Sequence, residues 1–246
     1  MRYLTPALLF TVTAAFAADA LPTVPGTPIG EKKELLFSDD FEHSEAKWQL
    51  NVVPAFTIEN GVLKGTQTRF DAPAQGDKPA VKAHQAVAGI EVPTKDSIVE
   101  LKFRFAGATA MSVEFDDRKF TGSHYGHICY CRLTPKSVNL VDQRDGNMNN
   151  EIMAMATDPA KKDERAKRLA GRSATFPVAI EPEQWHTLTV ETIDDAMRAS
   201  VDGKAVAYLK SSGIGHPTKS KVEFGTAGKD GLFDEIKIWN AAAVKP

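Results

Sequence analysis

Cysteine is scarce in this sequence, which limits what can hold the fold together. Among the 246 residues only Cys129 and Cys131 are cysteines. In an extended segment these two side chains leave the same face with Cα atoms about 7 Å apart, at the limit for an undistorted disulfide bond. We therefore expect reduced or buried thiols, and a fold that its apolar core stabilises without a cross-chain disulfide.

Long apolar runs and an excess of one charge are also missing. After the N-terminus no segment approaches the roughly 20 apolar residues that a transmembrane helix needs. The chain has 30 basic and 32 acidic residues, and the basic ones form no stripe. This composition disfavours membrane insertion, and it disfavours nucleic acid as a partner. It gives no indication of the oligomeric state.

The N-terminus has the pattern of an export signal. Met1 and Arg2 precede an apolar run over 7–16 and alanines at 15, 17, 18 and 20 that form A-x-A cleavage patterns. We therefore predict a secretory signal peptide over 1–20 and an exported protein, periplasmic or extracellular. Residues 21–33 contain three prolines and two glycines, which predicts a linker. The remaining 34–244 is long enough for one large all-β domain.

Short runs of alternating apolar and polar residues fill this domain. Asn60-Gly61 and Asp202-Gly203 each separate two such runs, and both pairs favour two-residue β-hairpin turns. In SIVELKFRF every second residue from Val99 to Phe105 is apolar, which predicts a strand with one face in the core. Many such strands with short connections predict mainly antiparallel sheets, arranged as a two-sheet sandwich or a closed barrel.

One segment has a helical pattern instead. In DPAKKDERAKRL, Asp158 is a suitable N-cap, Pro159 occupies the first helical position, and Gly171 follows as a stop signal. Acidic and basic residues are interleaved along it. This predicts one short solvated helix over 158–169, inserted between strands as structural cover.

The two ends of the domain resemble a known family. The opening run LLFSDDFEHSEAKWQL and the closing run GTAGKDGLFDEIKIWNA resemble the concanavalin A-like lectin/glucanase jelly roll, whose first and last strands lie side by side. Within that superfamily the chain resembles secreted bacterial 3-keto-disaccharide hydrolase-type domains and their laminarin-G-like relatives. QWHTLTVETIDDAMRASVDGKAV is similar to a double strand of these domains, and the resemblance covers 35–239.

The resemblance implies an all-β, two-sheet antiparallel jelly-roll sandwich that binds or processes carbohydrate. As an enzyme it would be a hydrolase or lyase acting on glycosides, including 3-keto glycosides. The alternative is a non-catalytic, laminarin-G-like interaction module. The feature that separates them is a concave site, because an enzyme needs titratable groups that converge there.

The resemblance also implies a structural calcium ion. Many laminarinase-like jelly rolls bind one with an acid of the opening strand, a glycine carbonyl near the next hairpin and an aspartate of the last strand. Here these positions correspond to Asp40 or Glu42, to Gly61 and to Asp234. Carboxylates and carbonyls are the oxygen ligands that calcium prefers. The alternative is that the acids are solvated beside a turn.

Laminarinase-type enzymes carry the catalytic strand motif E-x-D-x-x-E, which this chain matches only in part. VEFDDRKF supplies Glu114 and Asp116, but Lys119 stands where the last glutamate should be. The laminarinase mechanism would therefore lack its general acid. We expect Glu114 and Asp116 to face the same way, with Glu114 binding substrate and Asp116 a candidate acid.

HICYCRL, residues 127–133, predicts a strand in which His127, Cys129 and Cys131 share the core face. Tyr130 and Arg132 then share the opposite face, where a ring and a guanidinium suit a sugar and its hydroxyl or carboxylate groups. A zinc site is disfavoured, because histidines three positions apart point to opposite faces of a strand.

Other candidates lie in loops. His124 precedes that strand in a turn and is the candidate general base, with Asp116 or Asp142 as the acid and Arg132 as the substrate anchor. His84 is a further candidate for substrate binding. For each isolated histidine, a hydrogen-bonded structural role is the alternative.

Overall fold

The structure, a computed structural model, describes residues 20–53 and 55–245. Apart from Ala20, the predicted signal peptide lies outside the described residues. No helix in the described part of the chain is long and apolar enough to cross a membrane.

The strands are β1 (Gly30–Asp39), β2 (Gln49–Val53), β3 (Phe56–Glu59), β4 (Val62–Gly65), β5 (Ala86–Thr94), β6 (Ser97–Arg104), β7 (Ala108–Asp116), β8 (His127–Thr134), β9 (Ser137–Asp142), β10 (Ser173–Pro177), β11 (His186–Ile193), β12 (Ala196–Val201), β13 (Lys204–Lys210), β14 (Lys219–Gly228) and β15 (Gly231–Ala243).

These strands form two antiparallel sheets, as predicted. The first sheet has the order β13-β12-β11-β6-β15-β4-β3, and β1 pairs with the last part of β15. The second sheet has the order β10-β9-β8-β7-β14-β5-β2. The pairing of β1 with β15 places the first and last strands side by side, which is what the jelly-roll resemblance implied. The all-β sandwich is therefore confirmed.

The predicted turns and core positions are also present. Asn60 and Gly61, with φ angles of 52° and 71°, join β3 to β4, and Asp202-Gly203 joins β12 to β13. The apolar residues from Val99 to Phe105 are buried between the sheets. Cys129 and Cys131 are free and fully buried in the same core, and burial raises the pKa of the Cys129 thiol to about 12 and that of Cys131 as well. These thiols are packing residues.

The predicted helical insertion is confirmed, with one addition. Asp158 caps a 3-10 turn over Pro159–Lys161, and the helix α2 follows over Lys162–Leu169. A shorter helix, α1 (Asn150–Ala154), precedes it, capped by the Asn149 side chain. Both belong to the connection between β9 and β10.

The segment predicted as a linker is attached to the first sheet. β1 begins at Gly30, inside that segment. The carboxylate of Glu191 accepts hydrogen bonds from the backbone N–H groups of Ile29 and Gly30, at 2.7 and 2.9 Å. Glu191 also pairs with Arg198, whose Nε donates to the carbonyl of Pro25 at 3.0 Å. A buried ion pair therefore holds the lead-in to the domain.

Candidate functional site

A cleft of about 790 Å³ lies on the face of the second sheet that is turned away from the core. Its floor comes from β5, β7, β8 and β14, and its rims come from the loops 67–85, 118–125 and 143–148. The lining residues on which the following description depends are Arg69, His84, Gln85, Ser112, Glu114, Arg118, His124, Tyr125, His127, Tyr130, Arg132, Gln143, Asn147 and Glu223.

Strand register arranges the floor in rows. Glu114 on β7 lies opposite Tyr130 on β8 and opposite Glu223 on β14. Directly opposite residues in antiparallel strands have Cβ atoms about 4.5–5.5 Å apart, so two glutamates and a tyrosine are immediate neighbours. A second row contains Ser112 and Arg132, and a third contains Lys221, Asp116 and His127.

His127 reaches the cleft because β8 carries an irregularity at its start. The register shifts between the pairs Phe115–Cys129 and Asp116–His127, so Ile128 is an extra residue on β8 and is fully buried. A bulge of this kind inverts the side-chain alternation. The prediction that His127 shares the core face with the cysteines is therefore wrong, whereas the predicted faces of Cys129, Tyr130, Cys131 and Arg132 are confirmed.

Asp116 and His127 form a hydrogen-bonded pair under the cleft. His127 Nδ1 lies 2.9 Å from Asp116 Oδ1, and the Asp116 side chain is completely buried. Burial raises the pKa of Asp116 to about 6, the His127 hydrogen bond opposes this, and repulsion from Glu223 and Glu114 adds to it. Burial lowers the pKa of His127, but the bond to Asp116 and the nearby carboxylates outweigh it, so the net pKa is raised. Both groups therefore retain protons to a higher pH than usual.

The two glutamates differ in their partners. Glu114 Oε1 accepts hydrogen bonds from Ser112 Oγ at 2.8 Å and from the amide of Gln85. Glu223 Oε1 accepts from Lys221 Nζ at 2.6 Å and pairs with Arg118. Glu114 is thus held by neutral donors, while Glu223 is neutralised by two cations. This difference favours Glu114 as a base or nucleophile and Glu223 as an electrostatic element.

Glu223 was not among the residues singled out from the sequence. The signal was present, since SKVEFGTA alternates like SVEFDD and both have a glutamate at the centre of the strand. Only the pairing of β14 with β7 shows that the two glutamates are neighbours.

Asp142, a predicted catalytic acid, does not line the cleft. Its buried carboxylate accepts hydrogen bonds from the N–H of Asp145 and of Gly213, both at 2.9 Å, and from Ser211 Oγ at 2.5 Å, and it lies 3.3 Å from Arg172. Three of these four contacts are made by Oδ2, and two of them hold the loop 211–213. Asp142 ends β9 facing that loop, so the structure places it apart from the other predicted site residues, and its role as an acid stays a prediction.

The other predicted residues lie at the cleft, with one difference. Glu114, Tyr130, Arg132 and His84 all line it, and burial raises the pKa of Tyr130. His124 also lines it, but as an exposed rim residue against the ring of Tyr125, and within the described chain it has no hydrogen-bond partner to orient its ring. His127, in contrast, is oriented by its hydrogen bond to Asp116, and the role of His124 as a general base stays a prediction.

Among the predicted calcium ligands, Glu42 lies next to Gly61, and Asp40 is near enough to Asp234 to influence its pKa. A Cβ atom on Gly61 would lie 2.5 Å from Glu42 Oε1, so the Glu42 carboxylate covers this turn. Burial raises the pKa of Asp234, and repulsion from Glu235 and Asp40 contributes. In residues 20–53 and 55–245 no group of three or more His, Cys, Asp and Glu side chains is placed to hold a metal ion. Calcium would need backbone carbonyls for most of its ligands, and its binding stays a prediction.

Two residues at the cleft have a buried side-chain oxygen without a hydrogen-bond partner in the described structure. These oxygens are Gln143 Oε1 and Asn147 Oδ1 on the rim, and Gln143 is only 2% exposed. Asp116 Oδ2, under the floor, also makes no hydrogen bond, although it lies 3.4 Å from Arg118 Nη2. Buried acceptors without partners are rare in native structures, and a bound ligand is one explanation for them.

The fold is that of glycoside hydrolase family 16 enzymes. The endo-β-1,3-glucanase of Pyrococcus furiosus superposes with a TM-score of 0.55 at 11% identity, covering 89% of this chain and 100% of that chain. The laminarinase of Rhodothermus marinus gives 0.54 at 13% identity, covering 89% and 100%. The endo-β-1,3(4)-glucanase SCLam, in a variant that presents 1,3-β-D-cellobiosyl-glucose at its active site, gives 0.56 at 11% identity, covering 90% and 100%.

At these identities the similarity shows the fold, a concanavalin A-like jelly roll, and nothing beyond it. Comparisons with protein-family models and with curated proteins find no match. The resemblance to 3-keto-disaccharide hydrolase-type domains therefore stays a hypothesis.

Proposed function

We propose that this protein is an exported carbohydrate-processing enzyme that cleaves a glycosidic bond in the cleft of the second sheet. The observation that carries the proposal is the convergence of a hydrogen-bonded Asp116–His127 pair with Glu114 and Tyr130 on one floor. A non-catalytic interaction module would not need titratable groups buried together in a cleft. The fold shared with glucanases supports carbohydrate as the substrate class.

The geometry gives each group a role. Asp116 binds Nδ1 of His127, which leaves Nε2 as the atom that exchanges a proton with the substrate. Because its pKa is raised, His127 keeps its proton to a higher pH than a free imidazole and can act as the general acid toward the leaving oxygen. Glu114, held by Ser112 and Gln85, is the base. This acid and base pair takes the place of the laminarinase arrangement that Lys119 interrupts.

An oxidised glycoside suits this pair, in line with the family resemblance. In a 3-keto glycoside the carbonyl acidifies the C–H bond at C2. Glu114 would take that proton as the C1–O bond breaks, the electron pair would form the C1–C2 double bond, and His127 would give its proton to the departing oxygen. Addition of water to the unsaturated ketone then yields the hydrolysed sugar. No covalent intermediate with the protein is needed.

The rims offer contacts for sugar hydroxyls. The side-chain amides of Gln143 and Asn147 are polar groups that sugar hydroxyls could engage, and Tyr125, a residue that is 74% exposed, presents its ring at the same cleft. Aromatic rings pack against the C–H faces of sugars, and amide oxygens accept their O–H groups. These contacts support a saccharide occupant.

An activity assay tests the proposal. Purified protein should cleave 3-keto glucosides faster than the parent glucosides. His127→Gln and Glu114→Gln should each lower kcat by roughly a hundredfold or more, the usual contribution of one acid or base. His216→Gln is the matched control, because His216 bonds to Asp117 at 3.0 Å as His127 bonds to Asp116, but lies outside the cleft lining. Absence of turnover on either sugar, with no sugar binding by calorimetry, would remove the proposal.

Export and calcium binding complete the proposal and have separate tests. N-terminal sequencing of protein recovered from outside the cytoplasm should show a chain that starts after residue 20. Thermal unfolding should occur at a higher temperature in calcium than in a chelator, since calcium would relieve the repulsion between Asp40 and Asp234. An unchanged Tm would exclude a structural calcium site.

A further inference from the structure

One end of the cleft, beyond Ser112, is lined by two arginine side chains and a histidine. Arg132 lies on β8 opposite Ser112, and the Gln85 amide nitrogen lies 3.5 Å from Ser112 Oγ. Gln85 follows His84, which is bridged to Arg69 on the rim loop. Arg69, His84 and Arg132 therefore gather on the Ser112 side of Glu114, away from the Asp116–His127 pair.

The guanidinium groups at this end form no ion pair within the part of the chain that the structure describes. Across residues 20–53 and 55–245, neither Arg69 nor Arg132 lies within 4.0 Å of a carboxylate oxygen, and Arg132 makes no side-chain hydrogen bond. By contrast, Arg118 in the same cleft and the buried Lys221 are both paired with Glu223. Arg132 is half-buried between Tyr130 and the rim, so its donors are partly removed from water without an acceptor in exchange.

A half-buried guanidinium without an acceptor is matched by a planar or tetrahedral oxyanion. Its donors form a rigid fork that fits carboxylate and sulfate oxygens with two parallel hydrogen bonds. A neutral sugar hydroxyl uses only one of these donors and gains nothing from the positive charge. Arg69 adds a second positive charge on the facing rim, which attracts the same kind of group.

We propose that this end of the cleft is a subsite for an acidic sugar, and that Arg132 binds its carboxylate or sulfate group. The inference rests on the proposed function, because it names the substrate class of the same cleft. The substrate is then an anionic saccharide, whose charged residue lies next to the bond positioned over Glu114 and His127.

Binding by calorimetry to matched oligosaccharides tests this subsite. One pair compares an oligoglucuronate with the cello-oligosaccharide of equal length, and another compares a sulfated oligosaccharide with its desulfated form. At least one acidic member should bind roughly ten- to a hundredfold more tightly than its neutral partner, as expected for a charge-assisted bidentate contact. The pair that shows the difference identifies carboxylate or sulfate, and added salt should reduce it.

Variants assign the preference to Arg132. Arg132→Gln should abolish the difference between acidic and neutral members, while Arg132→Lys should retain part of it because the charge remains. Arg168→Ala is the matched control, since it removes a guanidinium on α2 that pairs with Glu151 outside the cleft. Circular dichroism of each variant shows whether it is folded.

The outcomes separate this inference from the proposed function. Equal binding of acidic and neutral members, or a preference that Arg132→Gln leaves intact, overturns the acidic subsite even where neutral glycosides are cleaved. Tight, Arg132-dependent binding of an acidic oligosaccharide without any turnover supports the subsite and removes the proposed catalysis.

Discussion

Three aspartates show how surroundings decide the role of one residue type. Asp116 is buried under the cleft and bonds to His127, Asp117 bonds to His216 on the other side, and Asp142 holds the loop 211–213. Asp116 has a raised pKa and Asp117 a lowered one, although they are adjacent in the chain. Burial is the largest effect on Asp116 and raises its pKa. Burial also acts on Asp117, but the hydrogen bonds from His216 and from the Lys119 N–H together outweigh it and lower the pKa.

Asp116→Asn should lower the pKa of His127. Burial lowers the pKa of His127, the hydrogen bond and charge of Asp116 raise it, and without Asp116 only the weaker attraction of Glu114 and Glu223 opposes burial. NMR titration of the His127 ring nitrogens should therefore give a pKa below that of the parent protein. Asp117→Asn is the control and should leave His127 unchanged. A His127 pKa that does not respond to Asp116→Asn would contradict the pairing.

Asp142→Asn should destabilise the fold without altering the cleft. The amide cannot replace a carboxylate whose two oxygens receive Ser211, Gly213, Arg172 and Asp145. We expect a loss of about 3 kcal/mol in the free energy of unfolding, typical of breaking a buried charged network. Urea denaturation measures it, and Asp158→Asn, which keeps a helix cap, should change it by less than about 0.5 kcal/mol. An unchanged stability would show that Asp142 is not structural.

At the residue scale, the sequence predicts well which face of a strand a side chain lies on. It predicts poorly which side chains from different strands meet. Alternation alone places Cys129 and Cys131 in the core and Tyr130 and Arg132 on the cleft. It misplaces His127, because one extra residue in a strand shifts the alternation and leaves no mark in the residue types. The bulge turns His127 toward the cleft, which makes His127, and not His124, the proton-transfer residue of the proposed function.

At the scale of elements, the turn before β8 determines where His127 points. Tyr125 and Gly126 have φ angles of 50° and 78°, and the Gly126 carbonyl accepts from the Asp117 N–H at 2.8 Å. Ser123 Oγ donates to the His127 carbonyl at 2.7 Å. These contacts join the end of β7 to the start of β8 and fix the bulge between them.

Gly126→Ala should destabilise the protein more than an ordinary glycine substitution at positive φ. Its Cβ would overlap the Asp117 carbonyl oxygen, so the turn must move. Gly203, with φ of 75° and open space where a Cβ would stand, is the matched control. We expect about 1–2 kcal/mol for Gly203→Ala and about 3 kcal/mol or more for Gly126→Ala, by urea denaturation. Equal losses would mean that the turn is not tightly packed.

Local signals explain which elements the sequence predicts. The helix over 158–169 follows from its cap, proline and stop glycine, and the hairpins follow from Asn60-Gly61 and Asp202-Gly203. The helix α1 has five residues, too few to show a helical periodicity of apolar residues, so only the Asn149 cap indicates it in the sequence. Elements too short to show a period depend on the surrounding fold for their stability.

At the scale of the whole molecule, the cleft is a product of long-range strand pairing. Glu223 on β14 meets Glu114 on β7 because the late strand β14 inserts between β5 and β7. The jelly-roll resemblance predicts the sandwich and the pairing of its end strands. It does not give the register within a sheet, and the register decides which charges are neighbours. The set of neighbouring charged residues in the cleft therefore follows from the three-dimensional structure and not from the sequence alone.

Burial of Asp116, together with repulsion from neighbouring acids, gives the whole molecule a pH-dependent stability. The pKa of Asp116 is about 6 in the folded protein, above the usual value of about 3.9 in an unfolded chain. Between these values the folded state keeps a proton that the unfolded state has lost, so the Asp116 contribution to stability falls as pH rises from about 4 to about 6. The full loss is roughly 3 kcal/mol, reached once Asp116 is ionised in both states.

Asp116→Asn should therefore stabilise the protein at pH 8 and leave it nearly unchanged at pH 4, where the parent carboxyl is already neutral. The difference in unfolding free energy between variant and parent, from urea denaturation across this range, should rise with pH by up to roughly 3 kcal/mol. Asp117→Asn should behave in the opposite sense, because the lowered pKa of Asp117 stabilises the fold above pH 4 and this contribution disappears only in acid. Destabilisation by Asp116→Asn at pH 8 would show that ionised Asp116 is a net stabilising partner of His127, and that its burial is not the dominant effect.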